Sequence, residues 1–358
     1  MHNPINNYIC TKFNTTMNKK KIVLSAISVL ALIGLIFIGS VYYVFFSHQF
    51  GIDKTAYIYI DKNDNIDSVM QKIDLVGNPG NMYGFKYLSK KNNYPQHIKT
   101  GKYEIKPNDN VRYLFRKLSK GYQSPVNLTI PSVRTLDKLV KSLSKQLMID
   151  SLELSKVLND SALISQNGYN IQTLPALFIP NTYEVYWDIN GKDFFERMIK
   201  ENKNFWNNDR IKKAEELKLT PIEVSTLASI VEEETANNKE KPMVAGLYLN
   251  RLKRGMLLQA DPTVKFGLQD FTLRRILNKH LLVNSPYNTY KYAGLPPGPI
   301  RIPSIIGIES VLNYSRHNYL YMCAKEDFSG THNFAENVAQ HQINARKYQQ
   351  ALNIRNIK

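Results

Sequence analysis

The longest apolar segment of the chain, residues 22–46, contains no charged residue. Its 25 positions exceed the roughly 20 that an α-helix needs to cross a bilayer. The flanks differ in charge, with Lys12, Lys19, Lys20 and Lys21 before the segment and Ser47, His48 and Gln49 after it. The positive-inside rule therefore predicts a cytoplasmic tail over 1–21 and a single transmembrane helix over 22–46, with the chain beyond residue 50 outside.

A cleaved signal peptide is the alternative, because it also combines lysines with an apolar run. The run here is longer than the about 7–15 residues of a signal-peptide core, and no A-x-A-like cleavage site follows it. We therefore expect a retained single-pass anchor in the inner or plasma membrane.

An internal repeat follows the apolar segment. Residues 59–73 (YIDKNDNIDSVMQKI) align with residues 104–118 (EIKPNDNVRYLFRKL), and both copies contain Asn-Asp-Asn. Each copy begins with strand-like alternation and continues, after this triplet, with apolar residues at helical spacing. The pattern predicts two strand–turn–helix units within 51–127, similar to the LysM-type modules that bind N-acetyl-sugar polymers. Packing of a scaffold without a ligand is the open alternative.

The remaining pattern is mainly helical. Residues 128–143 are a weaker third copy of the repeat, at the start of a connecting helical region over 128–173. An aromatic segment punctuated by prolines, 174–188, favours strand or loop and is expected to open the last domain, 174–358. Within that domain the spacing predicts, in order, helices over 193–254, a loop-rich region over 255–304 and a closing helix over 337–352.

The segment TPIEVSTLASIVEEET, residues 220–235, carries a strong helix-start signal. Thr220, Pro221 and Glu223 supply an N-cap, a proline at the first helical position and the acid of a capping box. The apolar stripe of the helix that follows ends in an acid, and its members are Leu227, Ile230, Val231 and Glu234.

Glu234 is the one acid of this run that the stripe turns inward. Glu233 and Glu232 are rotated from its face by about 100° and 200°. A carboxyl group against apolar walls has its pKa raised by desolvation, which suits a general acid near neutral pH. The alternatives are a solvated run of glutamates at a helix end, or an inward Glu paired with a buried arginine.

Composition limits the number of domains, the kind of binding partner and the disulfides that the chain can have. The 358 residues are 43% hydrophobic, enough for about two folded domains beside the anchor. The net charge of +17 favours an anionic partner, and nucleic acid is excluded as that partner by the predicted external topology. Cys10 and Cys323 fall on opposite sides of the predicted membrane, so no intramolecular disulfide is expected.

Four motifs that contain proline or glycine lie downstream of Glu234, and three of them also carry polar side chains. They are LQADPTV at 258–264, SPYNTY at 285–290, GLPPGPI at 294–300 and GTHNF at 330–334. Amide, carboxylate and phenol groups on loops of fixed shape suit a cleft for a sugar polymer. The chain has no H-E-x-x-H and no histidines at ligand spacing, so we expect neither a metal nor another cofactor.

In this order the motifs resemble those of the MltG/YceG-like family of endolytic murein transglycosylases, and the resemblance covers nearly the whole chain. The family's catalytic acid directly precedes the Thr of an I-V-E-x-E-T motif, which implies that role for Glu234. The matching downstream positions imply a set of substrate-binding residues, namely Gln259, Asp261, Thr263, Tyr287, Asn288, Tyr290, His332 and Asn333.

Two positions depart from the family pattern. Glu233 stands where lysine is common, and we expect its extra negative charge to raise the pKa of Glu234. Asn181 stands where the family often has Asp, so any role of that Asp is in doubt for this chain.

The resemblance implies an α+β fold with a LysM-like subdomain and a mainly helical, lysozyme-like catalytic domain carrying β-hairpin insertions. It implies non-hydrolytic cleavage of peptidoglycan glycan strands between N-acetylmuramic acid and N-acetylglucosamine, leaving 1,6-anhydro ends and terminating nascent strands. Glu234 would act first as acid and then as base, with Asp261 orienting the substrate. Cell-wall synthases are the implied partners. A muramidase-type hydrolase using Glu234, Asp261 and water remains an alternative, as does a non-catalytic glycan-binding scaffold.

Overall fold

The computed structural model describes residues 5–273 and 275–355, and residues 5–18 by their backbone alone. The chain divides into two compact units, Met1–Pro125 and Val126–Lys358. Residues 1–4 of the predicted cytoplasmic tail lie outside the described residues. The side chains of Cys10 and Lys12 lie outside them as well.

The first unit begins with a long helix, α1 (Ile5–Phe45). Its segment Lys19–Phe45 has 27 residues and a mean hydropathy of 2.8, and it is the one candidate membrane span among the described residues. The hydroxyls of Ser28 and Ser40 donate to the carbonyls four residues earlier, at 3.0 and 2.8 Å, so they are satisfied within the helix. Length and composition thus suit a membrane anchor, although a signal sequence has the same properties.

The remainder of the first unit packs two strands against short helices. Its elements are β1 (Ala56–Ile60), α2 (Ile66–Gly77), α3 (Tyr83–Lys91), β2 (Gly101–Ile105) and α4 (Val111–Lys120). β1 and β2 pair antiparallel, with Ala56 opposite Ile105. Alternate strand residues and the apolar faces of the helices close one core, which includes Ile58, Ile73, Phe85, Tyr103 and Leu114.

The structure confirms the strand–turn–helix repeat. β1 leads into α2 and β2 leads into α4, and each helix has the last Asn of the repeated triplet as its N-cap. The side chain of Asn65 accepts from the backbone N–H of Ser68, and that of Asn110 accepts from Tyr113. Both caps satisfy an amide that the first helical turn leaves without a partner.

The two copies of the repeat also share an ion pair between the Asp of the triplet and a lysine of the helix. Asp109 pairs with Lys117 at 2.9 Å, and Asp64 pairs in the same way with Lys72. Each lysine also donates to a strand carbonyl, Lys117 to Glu104 at 3.1 Å and Lys72 to Tyr59 at 2.9 Å. Helix and strand are therefore joined identically in the two copies.

The second unit is mainly helical. It consists of β3 (Val126–Thr129), α5 (Leu136–Leu143), α6 (Ser151–Leu158), α7 (Ser161–Gln166), β4 (Thr182–Val185), α8 (Gly191–Phe205), α9 (Asn208–Glu216), α10 (Pro221–Glu234), α11 (Lys241–Lys253), α12 (Asp261–Leu268), α13 (Ile305–Leu312), β5 (Tyr321–Ala324), β6 (His332–Ala335) and α14 (Val338–Ile354). β3 pairs antiparallel with β4, and β5 with β6. The mixed helix-and-sheet class predicted from the sequence is confirmed.

The predicted connecting region, 128–173, lies inside this second unit. β3 belongs to it and pairs with β4, so Val126 faces Val185 across 59 positions of chain. Residues from both segments share one core, for example Leu128, Leu174 and Phe194. The weaker third copy of the repeat does form a strand and then a helix, β3 and α5, but its strand partner comes from outside the repeat.

The predicted loop-rich region 255–304 also contains a short helix, α12. Pro262 stands in its first turn, where the missing N–H costs nothing. A second core surrounds α10, and its buried members include Val224, Leu227, Ile230 and Val231. These residues fix the helix that carries the candidate acid.

Candidate active site

A polar pocket of about 240 Å³ opens beside the end of α10. Of the residues predicted for the site, it brings together Glu234, Gln259, Asp261, Tyr290 and His332. It is also lined by residues that the sequence did not single out, namely Leu247, Tyr248, Arg251, Leu258, Met322, Cys323 and Ala324.

Glu234 is the last residue of α10, and this helix begins with the cap that the sequence predicts. Thr220 and Glu223 form the capping box, with Thr220 N–H donating to the Glu223 carboxylate at 2.8 Å. At the other end Thr235 is extended, so the helix stops directly after the acid. The Tyr248 hydroxyl donates to Oε1 of Glu234 at 2.8 Å.

The surroundings of Glu234 favour its protonated form. Burial raises its pKa from 4.5 to about 7, because an ionised carboxylate would lose its hydration there. The charge of Asp261 acts in the same direction, whereas the Tyr248 hydrogen bond and the charges of Arg251 and Lys265 oppose it. The carboxyl also sits at the C-terminal end of a helix, where the backbone carries partial negative charge.

Asp261 is the second carboxyl group of the pocket, and it has a different environment. It is the first residue of α12, where the helix dipole favours an anion. Its Oδ1 accepts a hydrogen bond of 2.6 Å from the Tyr290 hydroxyl. Burial raises the pKa of Tyr290, so this phenol stays a donor. The two carboxyls are thus placed at helix ends of opposite polarity.

Tyr248 and Arg251 project from α11, one turn apart. The Arg251 guanidinium is held by backbone carbonyls, with Nε donating to Leu320 and Nη1 to Leu258, each at 2.6 Å. A positive charge is therefore fixed at the wall of the pocket without a carboxylate partner among the described residues.

The β5–β6 hairpin forms one wall of the pocket, and this wall contains His332. Glu240 receives the backbone N–H of His332 at 2.7 Å and lies 2.9 Å from its Nδ1. The same carboxylate accepts from the hydroxyl of Thr235 at 2.9 Å. Because an ionised carboxylate only accepts, Nδ1 carries the proton and the orientation of the ring is fixed. Thr235, which directly follows Glu234, and His332 are thus held by the same carboxylate, that of Glu240.

Gln259 reaches the pocket from a strained backbone. Its φ of 51° lies in the left-handed region, which is uncommon for a residue other than glycine. Its N–H donates to the carbonyl of Thr289 at 3.1 Å, and the hydroxyl of that threonine accepts from Ala260 N–H at 3.0 Å. The backbone and the side chain of Thr289 therefore hold Gln259 and Ala260 in this conformation.

Four predicted site residues do not line this pocket. Thr263 and Asn288 are fully buried and hold the surrounding loops together. Thr263 donates to the Ala260 carbonyl at 2.7 Å, and Asn288 donates to the carbonyls of Leu281 and Val283, both at 2.9 Å. Their residue types reflect loop structure, which the motif could not distinguish from binding.

The other two lie elsewhere on the second unit. Tyr287 packs on Phe266, with ring centroids 4.6 Å apart, and lines a separate pocket. Asn333 donates to the Glu326 carboxylate at 2.7 Å. Asn181 stands just before β4, where its side chain accepts from the N–H of Thr182 at 2.8 Å.

The prediction that only Glu234 faces inward is wrong, because the side chains of both Glu232 and Glu233 are also largely buried. The Glu232 carboxylate accepts from Ser304 Oγ at 2.6 Å and pairs with Lys241 at 3.2 Å, and its side chain is only 13% exposed. Burial alone would raise the pKa of Glu232, but the Ser304 hydrogen bond and the charge of Lys241 lower it.

Glu233 is likewise partnered. Arg134 forks onto both of its oxygens, at 2.8 and 2.7 Å, and Arg301 donates to Oε1 at 2.9 Å. Two guanidinium groups therefore balance the charge of Glu233, and the named causes that raise the pKa of Glu234 are burial and the charge of Asp261. Arg134 and Arg301 are distant in sequence, so the helical pattern alone could not supply these partners.

The described residues contain no group of three or more His, Cys, Asp or Glu side chains arranged to hold a metal ion.

The fold and the pocket define a mixed helix-and-sheet protein with a buried carboxyl of raised pKa in a polar pocket that is lined in part by a β-hairpin. The sequence model of the YceG-like family matches residues 58–347, and the chain belongs to this family. A crystal structure of a YceG-like protein from Listeria monocytogenes is similar, with a TM-score of 0.55 and 25% identity over 82% of this chain and 99% of that one.

Two curated relatives are named endolytic murein transglycosylase. The Streptococcus pneumoniae protein is 26% identical over 85% of this chain and 62% of its own length. The Bacillus subtilis protein is 26% identical over 70% of this chain and 73% of its own length. This chain thus spans less than two thirds of the streptococcal relative.

Proposed function

We propose that this protein is a membrane-anchored lytic transglycosylase that cleaves peptidoglycan glycan strands internally. The observation that carries the proposal is the raised pKa of Glu234 together with its position in the pocket. Among the described carboxyl groups it is the one with a pKa raised toward neutrality, and it faces a polar pocket rather than an ion-pair partner. The names of the streptococcal and Bacillus relatives support the same substrate.

One carboxyl group suffices for the reaction. Protonated Glu234 would give its proton to the glycosidic oxygen as the bond to the anomeric carbon of N-acetylmuramic acid breaks. Its carboxylate would then take the proton of the C6 hydroxyl as that oxygen bonds to the same carbon. The products are a free 4-hydroxyl on N-acetylglucosamine and a 1,6-anhydro end, and Glu234 regains its proton without water being consumed.

The neighbouring side chains have supporting roles in this scheme. Tyr248 stabilises the carboxylate that forms after proton donation, because its hydroxyl already points at Oε1. Asp261 places a negative charge in the pocket where oxocarbenium-like charge develops. Gln259, Tyr290 and His332 offer amide, phenol and imidazole groups to the hydroxyl and N-acetyl groups of the sugars.

The presence of Asp261 in the same pocket favours a second candidate, a muramidase-type hydrolase. In that reaction Asp261 would act as nucleophile or activate water, and the product would have a reducing end. The hydrogen bond from Tyr290 occupies one oxygen of Asp261, which supports an orienting role instead.

Digestion of purified glycan strands in ¹⁸O-labelled water separates the candidates. The proposal predicts fragments that end in 1,6-anhydro-N-acetylmuramic acid and contain no ¹⁸O. Reducing ends that contain ¹⁸O would identify a hydrolase. Binding of strands without any product would leave only a glycan-binding scaffold.

We further propose that α1 is retained as an anchor, that residues 51–125 of the first unit and the whole second unit lie outside the cytoplasm, and that residues 51–125 act as a LysM-like glycan-binding module. The lysines before the apolar segment and the strand–turn–helix repeat support this assignment. Cell-wall synthases are the expected partners, since they make the strand. Protease added to spheroplasts is expected to degrade both units, and full protection would contradict the topology.

A further inference from the structure

A second pocket, in the first unit, lies at the end of the apolar helix. It measures about 250 Å³ and is lined by Phe46, Asn110, Arg112, Tyr113 and Arg116. Phe46 directly follows α1, and the guanidinium of Arg112 lies 5.2 Å from the centre of its ring. The pocket therefore combines the aromatic residue directly after the candidate membrane span with two cationic side chains.

Contacts within the first unit fix this pocket against the helix end. His48 pairs with Asn110 in an antiparallel bridge, and Phe45 meets Tyr87 edge to face at 5.9 Å. Gly84 approaches the backbone of α1 so closely that a Cβ there would lie 2.7 Å from the carbonyl oxygen of Val44. A helix anchored in a bilayer would thus hold the pocket at the level of the lipid headgroups.

The two arginines lack acidic partners. Arg112 and Arg116 are exposed and lie one turn apart on α4, and neither has an ion pair among the described residues. Like charges at this spacing repel each other. An anion between them would relieve the repulsion, and a guanidinium matches the geometry of phosphate oxygens.

The internal repeat supplies a comparison within the same unit. At the positions of α2 equivalent to the two arginines and the tyrosine of the pocket stand Asp67, Gln71 and Ser68. The cap and the buried ion pair are nevertheless the same in both copies. The strand–turn–helix scaffold therefore does not require the basic and aromatic residues of α4.

We infer that this pocket binds the phosphate headgroup of an anionic membrane lipid and seats the first unit on the membrane surface. A headgroup with its own ammonium group would fit less well, since the arginines repel that charge. Tyrosine and phenylalanine beside the arginines suit the boundary between headgroups and acyl chains. The inference rests on the proposed anchoring by α1 and is independent of the proposed reaction at Glu234.

The test uses the full chain purified in a neutral detergent. Native mass spectrometry would measure retention of short-chain phosphatidylglycerol against phosphatidylcholine, for the wild type and the double variant Arg112→Gln, Arg116→Gln. We expect preferential retention of phosphatidylglycerol and a loss of about tenfold or more in the variant. Should the double variant not fold, Arg116→Gln alone is measured.

The matched control is the double variant Lys62→Gln, Lys99→Gln. It removes the same charge at exposed positions next to the paired residues Ile60 and Gly101, at the opposite end of β2 from the pocket. It is expected to retain the lipid as the wild type does, and both variants are expected to keep glycan cleavage in detergent.

Three outcomes of the lipid measurements would overturn the inference. They are equal retention of the two lipids by the wild type, equal loss in the control variant, and stabilisation by inorganic phosphate as strong as that by the lipid. Loss of binding to insoluble cell wall in the Arg112→Gln, Arg116→Gln variant with unchanged lipid retention would also refute it and would assign the pocket to the glycan.

Discussion

The Tyr248 hydroxyl donates a 2.8 Å hydrogen bond to Oε1 of Glu234, and both side chains line the same pocket. Burial raises the pKa of Tyr248, so the phenol remains protonated while the carboxyl gives up and regains its proton. The bond favours the ionised carboxyl and so lowers a pKa that burial raises. Together the two effects place the group near neutrality.

Replacement of Tyr248 by Phe is predicted to move the pH dependence of cleavage upward. The change removes a hydrogen bond to the carboxylate, so the pKa of Glu234 rises by about one unit. The alkaline limb of the kcat profile, where the acid form is lost, should shift to higher pH by that amount. The exposed Tyr186 provides the control, and Tyr186→Phe should leave the profile unchanged. An unshifted limb in Tyr248→Phe would show that Glu234 does not control it.

The glutamates before Glu234 are predicted to matter for stability instead. Glu233→Gln leaves Arg134 and Arg301 without their shared carboxylate and is expected to cost about 1–3 kcal/mol of unfolding free energy. Glu232→Gln should act similarly through Lys241. Urea unfolding would measure the loss, and cleavage per folded molecule should stay within a few fold of wild type. Abolished cleavage in a folded Glu232→Gln protein would reassign the acid.

Stability should depend on pH through Glu234. In the unfolded chain its carboxyl ionises near pH 4.5, whereas in the folded protein it holds its proton until about pH 7. The preference for the neutral form therefore stabilises the fold at low pH and is lost as pH rises from 4.5 to 7. Relative to Glu234→Gln, the wild type should lose roughly 2–3 kcal/mol over this interval. Both tryptophans, Trp187 and Trp206, lie in the second unit and report its unfolding by fluorescence. A constant difference between the two proteins would contradict the raised pKa.

The repeated ion pairs of the first unit provide a matched comparison. Asp109→Ala should destabilise this unit by about 3 kcal/mol, because it leaves the buried Lys117 with a longer ion pair of 3.5 Å to Glu104 in place of its 2.9 Å pair. Asp64→Ala should cost less, about 1 kcal/mol, since the Lys72 side chain is 34% exposed and that of Lys117 only 6%. Hydrogen exchange at β1 and β2 would measure both changes. Equal costs would show that burial of the lysine does not set the strength of the pair.

Local signals predicted the elements that carry the site. The capping box at Thr220 and the apolar stripe identify α10, and the Asn caps identify α2 and α4. Each signal acts within a few residues of chain, where spacing and capping chemistry determine the outcome. The same stripe selects Glu234, which the structure places in the pocket.

Long-range partners could not be predicted in this way. Tyr248 and Arg251 lie in an ordinary apolar helix pattern, and only the fold brings them to Glu234. The partners of Glu233 come from positions 134 and 301, which no helical periodicity connects. Thr263 and Asn288 share motifs with pocket residues but are used within their own loops. A motif gives residue types in order, whereas burial and distance decide which of them form the site.

Glu234→Gln tests most directly whether Glu234 is the catalytic acid and base. Gln keeps the shape of the side chain and can still accept from Tyr248, but it cannot transfer the proton, so the rate should fall by at least about 10²–10⁴-fold. The amide also avoids the cost of a buried charge, so the variant should be as stable as the wild type near pH 7 or more stable. The decisive measurement is the rate at which folded Glu234→Gln protein releases fragments with 1,6-anhydro ends. We predict no detectable release, and release near the wild-type rate would contradict the assignment of Glu234 as the catalytic acid and base.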